Sequence, residues 1–530
     1  MSLTPKQQEI VDVYIQVYEE NKRKPSVADM REAGISKNRI RYHFSNMRSL
    51  HEKVKEYDTE NKISRFDEHI YEEEFQNTIL EKVKKYKKFI VTTAIAGCDV
   101  DKKFLKSIDT YCKKNNALLL ILPVFDLNKS QSLDPVLEDY NVLSASVKLN
   151  SNIYINNLKI SPRLVDPLTG LDRIGPRDYS YIYPSPKQRL RYVPNQKDTL
   201  PTAMMTTGAI TKSDYVNKSF RNQRSSYVSK LDHVMGAIVV EVSDYRYFHF
   251  RQIQVDEDGG FYDLGKYYSD KKVYNNIKAK AFVMGDYHSG QTNQVAEKCW
   301  IEIIKEIGVE YIVFHDIFNG LSISHHDQTK KITLSRRAEA GQLSLKHEIL
   351  RLSKDLDKFV RLADNIIVSK SNHDEFLERY LEECRFKDDP LNLRLGLELA
   401  LRMAEDNDPL QWAVEEYMTP YTPDKYVNRI KWLKRDESFK ICGIEVGEHG
   451  DKGAHGSYGS LRQMEKSYGN SVSGHSHVAE ILRGAYRVGT TSDLDLEYNN
   501  GLSSWIHCSC LIYGNGSRQL INIIDGKWRL

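Results

Sequence analysis

In the second half of the chain, four apolar runs each stop abruptly at Asp, His or Asn: "AKAFVMGDYH", "EYIVFHDIFNG", "DNIIVSKSNHDEF" and "FKICGIEVGEHGD". Short apolar runs of this kind read as buried strands. In open α/β sheets the chemistry sits at the carboxyl ends of strands. Any one such junction could arise by chance, but four in succession point to a layered α/β body whose strand ends converge. "SVSGHSHVAE" adds a fifth, with His475 and His477 separated by one serine. Alternate residues of an extended segment project the same way, so both imidazoles can reach one locus. In chain order the strand-end residues are Asp286, His288, Asp316, Asn372, His373, His449, His475 and His477. Carboxylate, imidazole and amide oxygen are the ligand mix of a borderline-hard divalent ion. They are too many for one tetrahedral site. Two ions about 3.5–4 Å apart, bridged by one carboxylate, would use the set.

This ordered set resembles the calcineurin-like metallophosphoesterase superfamily, whose pattern runs D-x-H, GD, GNH[DE], H, GHxH. The matches are Asp286-Tyr287-His288, Asp316 in "HDIFNG", "SNHDEF" from Ser371, His449 in "GEHGD" and "GHSH" from Gly474. His315 stands where glycine is usual, Asn319 where a second acid is frequent, and Ser371 where glycine is usual; none of these removes a ligand. The resemblance implies a four-layer sandwich, two mixed β-sheets flanked by helices. It also implies one metal held by Asp286, His288 and His477, a second by Asn372, His449 and His475, and Asp316 bridging them. His373 would be the non-ligand histidine that stabilises or protonates the leaving oxygen, oriented by Asp374. A metal-activated bridging hydroxide would attack the phosphodiester. Pairing "HDIFNG" with "SNHDEF" is similar to SbcD-type repair nucleases, which cut DNA with manganese. Mn2+ is therefore the implied ion, although Mg2+, Fe2+ or Zn2+ suit the same ligands. "TTGAITKSDYVN", "GAIVVEV" and the ending "CLIYGNGSRQLINIIDGKWRL" extend the likeness to metallophosphoesterases of tailed phages, over residues 89–530. Some of these degrade the host chromosome early in infection. Since repair nucleases of the superfamily act as dimers, a homo-oligomer is implied, and a further phage or host protein partner is left open.

The rest of the sequence supplies the setting. At 530 residues the chain has room for about two to four domains. Four segments are expected: a helix-turn-helix-like helical domain over 1–60, a charged connecting helix over 61–88, an α/β accessory domain over 89–275, and the catalytic domain over 276–530. "KPSVADMREAG" offers Ser26 as a helix N-cap and Gly34 as a stop, and a third helix starts at Ser36, carrying Lys37, Arg39 and Arg41. That arrangement, similar to the recognition-helix region of TetR-type repressors, suits either DNA contact or a plain three-helix interaction module. From residue 22 to 55 there are ten Lys/Arg against three Asp/Glu; from 181 to 230 there are nine against two, interleaved with Tyr181, Tyr183, Tyr192, Tyr215 and Tyr227. Such stretches suit a polyanion, or simply solvated loops. Arg336 and Arg337 offer phosphate clamps on chemistry alone, and His325 and His326 read equally as substrate contacts or a solvated turn.

Seven scattered cysteines argue against a disulfide framework. No run of about 18 apolar residues suggests a membrane span, and the opening MSLTPKQQEI lacks the layout of a secretory signal. A cytoplasmic setting is expected, the host's cytoplasm if the chain is phage-encoded. The leading expectation is a two-metal DNase. The alternatives are a phosphodiesterase or phosphatase acting on small nucleotides or RNA, and a DNA-binding regulator with a vestigial metal core.

Overall fold

A computed structural model describes residues 3–21, 25–60, 68–126, 132–173, 179–196, 202–215, 223–243, 246–496 and 499–530. The fold is mixed α/β with several sheets. Among the described residues no helix is long and apolar enough to cross a membrane, and all seven cysteines are free. The chain divides into two compact units, Met1–Thr78 and Ile79–Leu530.

The smaller unit is helical. Pro5–Asn21, Val27–Glu32, Lys37–Phe44 and Met47–Glu60 enclose Ile10, Tyr14, Met30, Ile40, Phe44, Leu50 and Val54. Ser26 and Asp29 form a reciprocal capping box, and Ser36 caps the next helix through the Arg39 amide. The single helix expected from Ser36 is in fact two. Ser45 adopts φ 64°, and Asn46 Oδ1 accepts from the Ser49 amide at 2.9 Å to start the fourth helix. The connecting helix is Glu68–Lys85; residues 61–67 of the expected 61–88 connector lie outside the described residues.

In the larger unit, Lys88–Ile95 and Ala117–Val124 pair in parallel through the helix Lys102–Asn115, the expected βαβ unit. Gly236–Val242 and Phe248–Gln254 complete a four-stranded sheet. A six-stranded sheet runs in the order Ile430–Trp432, Asn365–Val368, Val309–Phe314, Ala279–Val283, Cys508–Ile512, Arg518–Asn522. Its first four strands are parallel and the last two antiparallel. Period-2 alternation sorts its side chains. Phe282, Ile312, Phe314, Ile366 and Val368 face the helices Gln294–Ile307 and Leu345–Phe359, while Ala281, Val283, Val313 and Ile367 face the other layer. That layer is a ten-stranded sheet, whose Ile182, Leu190, Met205, Val472, Ile481 and Tyr486 share this core with residues of the four-stranded sheet.

The separate accessory domain expected over 89–275 is not a body of its own. Strands between 147 and 206 and strands between 440 and 487 form the one ten-stranded sheet, joined where Arg189 and Leu190 pair with Leu482 and Ile481. Either half alone would leave an unpaired edge and an uncovered apolar face.

Arg251 ties the layers electrostatically. Its guanidinium donates to Glu241 at 2.8 Å and to Asp263 at 2.7 Å, and Gln519 of the six-stranded sheet donates to Asp263 at 2.9 Å. Burial works against Glu241 ionising, but Arg251 overrides it and brings the carboxyl down to about 2. That value lies below the roughly 4.3 of a free glutamate, so the stabilisation is complete above that range and is lost as pH falls toward 2. Glu241→Gln should lower stability at neutral pH by about 1.5–3 kcal/mol and flatten the loss of stability between pH 4.5 and 2.5, read from urea midpoints at each pH. Parallel pH profiles for wild type and variant would contradict this.

Candidate metal centre

The candidate residues lie just beyond strand ends, and backbone bonding continues past those ends to hold them. Tyr287 and His288 amides donate to the His315 and Asp316 carbonyls at 3.0 and 2.8 Å, and the Gly474 amide donates to the His449 carbonyl at 2.9 Å. His288, Asp316, His475 and His477 all sit at positive φ (47°, 45°, 80° and 59°), a region costly for side-chain-bearing residues and concentrated at functional sites. Gly474 is required by proximity, since a Cβ there would lie 2.0 Å from Asp286 Oδ1.

These loops bring two ligand groups together. Asp286, His288, Asp316 and His477 form one, all buried; Asp316, His449 and His475 form the other, and Asp316 belongs to both. His477 Nε2 lies 3.3 Å from Asp286 Oδ2, His288 Nε2 3.6 Å and His449 Nε2 3.2 Å from Asp316 Oδ2, and the His288 and His477 Nε2 atoms are 3.0 Å apart.

The electrostatics are those of a site short of positive charge. Burial, reinforced by the Asp316 charge, pushes the Asp286 carboxyl well above the usual range. Burial opposes ionisation of Asp316 too, yet the His449 contact holds that carboxyl well below it. Burial brings His288 down to about 3, His475 to about 4 and His477 well below its ordinary value, so these imidazoles are neutral with lone pairs to give. Burial acts the same way on His449, but Asp316 reverses it and raises His449 to about 9; the two share a proton that a cation would replace. Both oxygens of Asp286, Oδ1 of Asp316 and Oδ1 of Asn372 find no hydrogen-bond partner among the described residues. Buried polar atoms are rarely left so. A divalent ion would satisfy them, and the donor set fits one.

His373 packs edge-on against His288 with ring centroids 4.7 Å apart, and its Nδ1 faces the Asn319 carbonyl at 3.0 Å. Asp374, expected to orient His373, is engaged elsewhere. Its carboxylate accepts from the Ser371 amide and hydroxyl at 3.0 and 2.9 Å and from the Phe318 amide at 3.2 Å, bracing two ligand loops. Burial pushes it up to about 6. The orienting partner of His373 is therefore a main-chain oxygen.

The basic residues disperse. Lys37 and Arg41 are exposed on their helix in the smaller unit, whereas Arg39 is ion-paired with Glu9. Arg337 is buried and paired with Asp327 at 2.9 Å, and Arg336 is exposed; both line a cavity beside Asn372 and His373. Among the described residues the tyrosines of the basic stretch do not form an exposed face. Tyr181, Tyr183, Tyr192 and Tyr215 are core residues, and Tyr227 alone of the five is exposed: both faces of the strand Ser180–Tyr183 are covered, and Tyr215, outside the strands, packs with Ile95 and Cys98. Residues 197–201 and 216–222 of that stretch lie outside the described residues.

Comparison with known proteins gives one relation to report. The chain is similar to a phage protein. Protein A1 of Escherichia phage T5 is 29% identical over 476 residues, which cover 84% of this chain and 83% of that protein. No family model matches, and no solved structure does.

Sequence reasoning missed two neighbours of the site. Trp505 packs edge-on to His477 at 4.2 Å, and Phe376 stacks on His373 at 4.7 Å. The second was legible, since three residues apart at a helix start share a face; nothing local marked Trp505. His315, singled out only as a departure from the family pattern, is fully buried with neither ring nitrogen hydrogen-bonded among the described residues.

Mn2+ at a hundredfold excess over its Kd should stabilise the protein by about 2.7 kcal/mol. Asp286→Asn should lose that increment yet unfold no earlier than wild type in EDTA, because it replaces a buried carboxyl that disfavours ionisation with a neutral group of the same shape. Scanning fluorimetry with and without the ion reads both quantities; undiminished stabilisation of the variant would remove Asp286 from the ligand set.

Proposed function

We propose that the chain is a divalent-metal-dependent deoxyribonuclease of the calcineurin-like metallophosphoesterase type, made by a phage and acting on host DNA. One observation carries the reading: two ligand groups that share Asp316, set at the carboxyl ends of parallel strands, with His373 adjoining them. Two sheets packed between helices support the sandwich that this reading requires, and the likeness to a phage protein supports its origin. The ions would be two, held by Asp286, His288 and His477 on one side and Asn372, His449 and His475 on the other, with Asp316 common to both. Manganese is the assigned metal.

Divalent ions bound there would supply Lewis-acid activation of both water and the phosphoryl group. The chain's own residues do the rest. Asp286 and Asp316 hold the negative charge that fixes the ions, and four imidazoles with the Asn372 amide oxygen complete the donor set without adding negative charge. His373 donates Nδ1–H to the Asn319 carbonyl, which leaves Nε2 as its working nitrogen. From there a protonated His373 gives its proton to the departing sugar oxygen. Stacking on Phe376 keeps the ring from turning.

Purified protein with Mn2+ should degrade DNA, and EDTA should stop it. His373→Ala should cut kcat by about 10²–10⁴-fold while retaining bound metal, measured on labelled linear and closed circular DNA alongside metal analysis. DNA left intact by the metal-loaded wild type would overturn the assignment.

A further inference from the structure

Beside His373 opens a cavity of about 610 Å³, within the usual range for sites that enclose a small molecule. Its walls are of two kinds. One is aromatic: Phe376 stacks on His373 with ring planes 28° apart, and the exposed His326 lies 5.8 Å from Phe376. The other is cationic, with Lys330, Arg336 and Arg337 all lining the space. Asp327 binds Lys330 at 2.7 Å and Arg337 at 2.9 Å. Lys330 and Arg337 are thus both held by that carboxylate, and Arg336 extends the cationic wall. Arg336 is exposed and makes no ion pair among the described residues.

We infer that this cavity holds one unpaired nucleotide of the DNA substrate, its base against the His326–Phe376 wall and its phosphate at Lys330 and Arg336. The inference deepens the nuclease reading and rests on it for the position of the scissile bond next to His373. A duplex backbone alone would ask for charge along an open surface; a concave space with an aromatic side asks for a base out of its stack. Aromatic faces accept any base, so single-stranded or frayed ends are preferred without sequence preference. Base stacking and phosphate contact then act on the same nucleotide, which fixes its phosphodiester at the metal centre.

The test is binding in EDTA, where turnover plays no part. Full-length wild type should bind a fluorescein-labelled short oligothymidylate, and a variant combining Arg336→Ala with His326→Ala, both exposed positions, should bind it about tenfold or more weakly. Affinity for a blunt duplex of the same length should change less. Equal binding of the oligothymidylate by variant and wild type, no binding by wild type, or an equal loss on the duplex would each overturn the inference. Wild-type turnover of bis(p-nitrophenyl) phosphate with Mn2+ separates the two proposals. Turnover without a binding difference removes the nucleotide pocket and keeps the phosphoesterase; a binding difference without turnover does the reverse.

Discussion

Two buried carboxylates held close together, each facing imidazoles, are the constraint on which the rest of this structure depends. Burying an uncompensated carboxylate is costly, and a protein usually neutralises such a group rather than keep it charged. Here Asp286 is driven toward protonation while Asp316 is kept ionised by His449. That division balances the site only in part and leaves several buried acceptors unmet. A cation resolves every one of these costs at once. Metal uptake there would be coupled to folding, because the centre is assembled from residues 191 positions apart, from Asp286 to His477, and exists only when the sheet does.

The scaffold answers that requirement with unusual backbone. Four of the converging residues occupy the left-handed region, which the packed strands around them over-determine. Gly474 lets the histidine loop lie directly over Asp286, and Asp374 uses its carboxylate to lock the 318 and 371 loops together. These are positioning devices: they narrow the motion of ligand side chains that a loose set of loops would let wander.

Much of this was legible in the sequence because strand ends carry a readable signature. An apolar run that stops at Asp or His reports both the strand and the direction in which its side chain points, so six of the seven side chains singled out as ligands fall in the two groups of this centre. Boundaries and surfaces were harder. The tyrosines between 181 and 215 looked like a nucleic-acid face, but layers that cover both faces of the strand Ser180–Tyr183, and the packing of Tyr215 on Ile95 and Cys98, place them in the core. The accessory segment looked independent because a ten-stranded sheet built from distant stretches has no local signal; its pairing of Leu190 with Ile481 is visible only in three dimensions. The same limit hid Trp505, whose contact with His477 joins segments with no shared pattern. Asp374 failed for a different reason, since a carboxylate beside a histidine in sequence points elsewhere once a helix starts there.

The proposed function rests on which charges meet. Neutral imidazoles, shared carboxylate and an adjoining His373 suit attack on a phosphodiester, and the cationic, aromatic cavity suits the polymer that carries it. The most direct measurement is electron paramagnetic resonance of the Mn2+-loaded protein with metal content determined on the same sample. Shared ligation by Asp316 requires about two ions per chain, a spin-coupled spectrum, and loss of that coupling in Asp316→Asn. Protein that retains no manganese, or that shows only isolated, uncoupled ions, would contradict it.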